Sequence, residues 1–171
     1  MAAADPLIAF QSMVQSVGDF PPEAFLFVRD GLHAAASALR GEETEAHQAV
    51  HHYLQQNGLD WGQLNARFEA RELPDELMEM ITAAGGCAKL NRHVTGRELC
   101  WALRDLAVER WGMLARTVLY SWGVRTTHDF GRIVFAYIEH GLMKQQPSDS
   151  VRDFDEVYDF AEAFPQDVNA D

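Results

Sequence analysis

Cysteine is scarce, with only Cys87 and Cys100 in 171 residues. That excludes a disulfide framework and fits free thiols in a reducing cytoplasm, the expected location. No apolar run approaches the roughly twenty residues needed to cross a bilayer, so no membrane partner is expected. The start, MAAADPLIAF, has neither a basic leader nor a long apolar stretch, and so lacks the form of a secretory signal. No GxGxxG, GxxxxGK[ST] or GxSxG string occurs, which removes the phosphate-cradling loops and the nucleophile elbow. What is present is the balance of an ordinary globule, 47% apolar and 23% charged, which excludes disorder over the whole chain.

The net charge of −12 is unevenly spread. Residues 1–88 hold 4 basic and 13 acidic side chains, residues 89–144 hold 9 and 5, and residues 145–171 hold 1 and 8. A basic middle segment thus lies between two acidic flanks. The average field repels nucleic acid and anionic lipid, although a local patch still acts within a Debye length of about 8 Å.

Helix punctuation dominates the pattern. Asp5-Pro6 opens a segment to about residue 17, and Pro21-Pro22-Glu23 opens another in which Phe25, Val28 and Leu32 recur at helical spacing before an alanine-rich run toward Gly41. Residues 43–57 read as a third helix. Asp60 with Gln63, and Thr95 with Glu98, have the spacing of capping boxes, in which the cap side chain and the third helical side chain each bind the other's backbone N–H. Pro74 begins a helix that Gly85-Gly86 ends. Asn57-Gly58-Leu59, Trp111-Gly112-Met113, Trp122-Gly123-Val124 and His140-Gly141-Leu142 each place glycine before an apolar residue, the signature of a left-handed helix stop. Residues 24–32 also echo residues 134–142, with Phe, Gly and Leu identical. That echo reads either as two amphipathic helices of similar ending or as a duplicated unit.

Beyond Gly141 the helical pattern fails. Leu142–Gln145 and Val157–Phe160 read as two short strands around a turn at Pro147–Ser150, an antiparallel hairpin. Helices near 96–111, 113–122 and 127–140 followed by a hairpin have the element order of a winged helix. The expected fold is therefore mainly α: a single helical domain over 1–171, with a small C-terminal antiparallel β-hairpin, a winged-helix-like half at 92–164, and 41–90 as an inserted helical segment.

Chemistry-bearing constellations are few. His47 and His51 share one helix face, as a helical zinc site requires, but Gln48 stands where a metalloprotease has its glutamate and spacing fixes no third ligand. Solvated histidines are the expected reading, with no cofactor. Cys100, beside Trp101, is expected to be a buried structural thiol. Asp149, Asp153, Asp155, Glu156 and Asp159 lack the central glycine and flanking helices of a calcium loop, and read as a solvated hairpin rim. The tryptophans and phenylalanines are expected in the core.

The strings Pro21-Pro22-Glu23-Ala24-Phe25, Arg92-His93-Val94-Thr95-Gly96-Arg97-Glu98-Leu99, Ser121-Trp122-Gly123-Val124-Arg125-Thr126-Thr127-His128-Asp129-Phe130-Gly131 and Val157-Tyr158-Asp159-Phe160-Ala161-Glu162-Ala163-Phe164 resemble a family of small uncharacterised bacterial proteins, catalogued as an uncharacterised repeat protein. The resemblance covers 20–40 and 92–164, and the departure is an insertion across 41–90 that holds His47, His51, Trp61 and Cys87. It implies no activity and no site residue.

The expected function is a non-enzymatic protein-interaction or regulatory module that meets a protein partner through Arg97, Arg104, Arg116, Arg125, His128 and Arg132. The alternative is a nucleic-acid-binding regulator that offers Arg125, His128 and Arg132 to DNA, with Arg116 and Lys144 nearby. Against it stands the acidic wing, because DNA affinity comes from neutralising phosphates. A third reading is a metal-dependent enzyme that uses His47 and His51.

Overall fold

The computed structural model describes residues 5–145 and 149–165. The helices are α1 (Pro6–Val17), α2 (Pro22–Arg40), α3 (Glu45–Asn57), α4 (Trp61–Glu69), α5 (Asp75–Ala84), α6 (Cys87–Leu90), α7 (Gly96–Trp111), α8 (Ala115–Ser121), α9 (Thr127–Glu139) and α10 (Phe160–Ala163), with 3-10 turns at Gly112–Leu114 and Val151–Phe154. No helix among the described residues is long and apolar enough to cross a membrane. The two capping boxes form as read. Gln63 N–H donates to Asp60 and Asp60 N–H to Gln63, while Glu98 N–H donates to Thr95 and Thr95 N–H to Glu98.

The chain divides into two compact units. One runs from Ala36 to His93 and buries Val50, Leu54, Leu64, Leu73, Leu77, Ile81, Cys87 and Leu90 as its own core. Its two ends are tied to each other: Arg40 Nε donates to the His93 carbonyl (3.2 Å) and Arg92 donates to the Gly41 carbonyl.

The other unit joins the described residues up to Ala35 with those from Val94 onward. Phe25, Val28, Leu103, Leu119, Val124, Phe130, Ile133 and Phe160 are its fully buried centre. Gly31, in the middle of α2, lets the Leu103 side chain of α7 come so close that a Cβ there would lie 2.2 Å from Cδ2. The two echoing segments therefore end differently. α2 runs on through Gly31, whereas Gly141, at φ +73°, stops the chain after α9, with Leu142 N–H returning to the Tyr137 carbonyl at 2.8 Å.

The expected β-hairpin is not there. Among the described residues there is no strand, and 146–148, which include Pro147 and Ser148 of the expected turn, lie outside them. The physical reason is capping chemistry. Ser150 accepts from Arg152 N–H (3.2 Å) and Asp153 accepts from Ser150 N–H (3.0 Å), which winds residues 151–154 into a 3-10 turn. Glu156 adopts a left-handed φ of +48°, and Asp159 caps α10 by accepting from Ala161 N–H (2.9 Å). Short polar side chains that bind nearby backbone N–H groups compete against an extended ladder, and here they win.

Without a wing, the segment after α9 folds back on α7 and α9 instead. Phe154 sits where both helices carry glycine: a Cβ on Gly131 would meet Phe154 Cβ and Cγ at 2.8 Å, and one on Gly96 would meet Asp153 Cβ at 2.9 Å. Buried Thr127 locks the approach. Its hydroxyl donates to the Phe154 carbonyl (2.6 Å) and accepts from Val157 N–H (3.3 Å).

Alanine normally stabilises a helix by about 1 kcal/mol relative to glycine. At Gly131 the sign should reverse, because the clash falls on the rigid base of Phe154. Gly131→Ala should lose about 1–3 kcal/mol in urea unfolding, and Phe154→Ala about 3–5 kcal/mol.

Candidate functional site

The segment that Phe154 anchors forms one wall of an open groove of about 890 Å³. The other wall is Arg125 and the cap residue Thr126, which lead into α9, with Thr127 and His128 of its first turn, facing Asp155, Glu156, Asp159 and Glu162. Asp129, in the first turn of α9, accepts from the N–H groups of Arg125 (2.9 Å) and Thr126 (3.2 Å), which fixes the entry to that helix. His128 Nδ1 lies 2.8 Å from Asp155 Oδ1, a polar contact between the walls beside the Thr127 hydroxyl bonds.

Val157, Tyr158 and Phe160 line the groove between these charged groups. The Tyr158 hydroxyl donates to the Cys100 carbonyl (2.7 Å), and burial raises its pKa. Burial also pushes the Cys100 thiol up to about 12, against a small opposing pull from Arg97, so this sulfur is a poor source of thiolate. Trp101 packs its ring 4.8 Å from that of Tyr158 yet stays 41% exposed. Tyr120, 38% exposed, stacks on Phe160 at 6.3 Å with an interplanar angle of 14°. The core placement expected of the tryptophans and phenylalanines thus holds for Phe25 and Phe130 and fails for Trp101, which packs on Tyr158 of the groove lining.

The six residues read as a partner surface divide. Arg125 and His128 line the groove, and Arg125 and Arg116 place their guanidinium groups 5.5 and 5.8 Å from the Tyr120 ring centre. Arg97 is exposed on the first turn of α7 and does not line the groove. Arg104 and Arg132 are only partly exposed and are used inside the fold. Arg104 donates to the Ala163 carbonyl (2.9 Å) and pairs with Asp105 (3.0 Å). Arg132 pairs with Asp19 and Asp129 and covers the Phe20 ring at 4.9 Å; the hydrogen bond it donates to the Asp19 carboxylate raises its pKa further.

Sequence reasoning placed Asp155, Glu156 and Asp159 on a wing rim, missed Glu162, Tyr158 and Thr127 as groove residues, and had no signal for the glycine notch that brings them to α9. His47 also has a role that its spacing to His51 concealed. Its Nδ1 accepts from Thr44 N–H at 2.8 Å, so the imidazole completes the N-terminal cap of α3. Among the described residues no three His, Cys, Asp or Glu side chains are grouped to hold a metal ion.

No family model, curated protein or solved structure matches the chain.

The cap role separates His47 from a metal ligand. Glutamine at the third helical position can bind the cap N–H, so His47→Gln/His51→Gln should keep the wild-type melting temperature, with and without chelator. His47→Ala should cost about 0.5–1 kcal/mol by removing that acceptor. A chelator-dependent fall in wild type that the double variant abolishes would instead identify a bound metal.

Proposed function

We propose that this chain is a protein-interaction module that receives a segment of a partner protein in the groove between Arg125–His128 and Asp155–Glu162. The observation that carries the reading is the groove itself, on whose lining residues Tyr158 and Phe160 two exposed aromatics, Trp101 and Tyr120, are packed. Large aromatic side chains that are apolar yet solvent-facing are the residue types that dominate binding energy at protein interfaces. Tyr120 and Trp101 have that character, and Phe160 and Tyr158 tie them to the buried core. Such anchors lose little side-chain entropy when a partner covers them.

The disposition of charge supports protein over nucleic acid. Four carboxylates line the groove beside one guanidinium and one imidazole, and phosphate would be repelled there. Arg132 is turned to intramolecular partners, which leaves α9 a thin basic face for a DNA groove.

A photo-crosslinking side chain at Arg125 or Glu162, introduced singly in the native host, should yield a discrete protein adduct, and one at Glu72 in the Ala36–His93 unit should not. Equal adducts from both regions, or none from the groove, would contradict the proposal. So would submicromolar, salt-sensitive binding of wild type to duplex DNA at physiological ionic strength.

A further inference from the structure

We infer that the segment this groove takes is cationic, a stretch of a partner protein that carries arginine or lysine. The inference rests on the docking reading above and adds the partner's chemistry.

The groove's charges are not all available to a ligand. Asp155 is engaged by His128, and Asp159 is engaged by the α10 cap. The Glu156 and Glu162 carboxylates take no hydrogen bond or ion pair from the described residues, and both residues are exposed. Arg125 is the one opposing full charge on the lining, and its guanidinium lies over Tyr120. A cationic side chain entering the groove therefore meets two uncommitted carboxylates, with two more beside them. An anionic one meets the same four as repulsion.

The exposed aromatics fit the same ligand. A guanidinium or ammonium is drawn to the face of an aromatic ring, most strongly to tryptophan. The fold already shows the arrangement in miniature, since Arg116 and Arg125 both lie over Tyr120. Trp101, 41% exposed and packed on Tyr158 of the groove lining, offers a second such ring. Carboxylates along the groove and an exposed tryptophan packed on its lining match an arginine- or lysine-bearing segment on both counts.

The test uses the full chain and short fluorescent peptides of one scaffold that differ only in carrying arginine, glutamate or serine at alternate positions. The arginine peptide should bind, and should weaken as salt rises from about 0.05 to 0.15 M. Its affinity should fall roughly fivefold in Glu156→Gln/Glu162→Gln, two rim charges being worth about that much. The variant Glu72→Gln/Glu79→Gln carries the same charge change on the other unit and should bind the peptide as wild type does. Equal losses in the two variants, or an arginine peptide no tighter than the serine one, would overturn the inference. A serine or glutamate peptide that binds and shifts the amide signals of Arg125–His128 and Asp155–Glu162 would overturn it while leaving the docking reading standing. If no peptide shifts those signals and the crosslinks fail as well, both fall.

Discussion

Phe154 seated over Gly131 is the contact on which the rest of this unit depends. A side chain at position 131 would hold the 151–164 segment away from α9. With glycine there, backbone and ring approach closely enough for the Thr127 hydroxyl to bond Phe154 and Val157 at once. Val157, Phe160 and Phe164 are then buried in turn, and Tyr158 reaches the Cys100 carbonyl. The groove wall is thus part of the core rather than an appendage to it. Its rigidity follows from close packing, which tolerates few arrangements.

The charge pattern has its explanation in the same unit. Part of the basic middle segment is paired with the acidic flanks, Arg132 with Asp19 and Arg110 with Asp30 at 3.0 Å, and His128 contacts Asp155. Each exposed pair contributes little, about 0–1 kcal/mol. Together they align elements far apart in the chain. Arg110 and Arg132 of the segment that looks in sequence like a basic binding surface are thus internal counterions, and carboxylates of the C-terminal flank outnumber the cations along the groove.

The helices were legible because their ends carry local chemistry. Thr95 with Glu98 and Asp60 with Gln63 are readable three residues apart, and Gly58, Gly123 and Gly141 stop helices in the left-handed conformation. Gly112 does not. At ψ −124° it leads into a 3-10 turn instead, a difference that no local rule separates from the other three. The hairpin was misread because residues 142–160 are too short and mixed for periodicity to decide between strand and turn. Yet the same box spacing that marked α7 recurs at Ser150 and Asp153, and it governs the segment. The sequence offers Arg125 and His128 among six partner-binding candidates, without the groove that these two line. Their partners were not legible, because the glycine notch joins positions more than twenty residues apart and leaves no local trace.

Native-state hydrogen exchange at the Val157 amide measures most directly whether the C-terminal segment belongs to the core. Its N–H is bonded to the buried Thr127 hydroxyl, so opening it requires the clasp to release. The account predicts protection equal to that of the slowest amides of α9, with both lost together as denaturant rises. Exchange at the rate of an unstructured chain, while α9 stays protected, would show that the segment only leans on the helices and that the groove has no fixed wall.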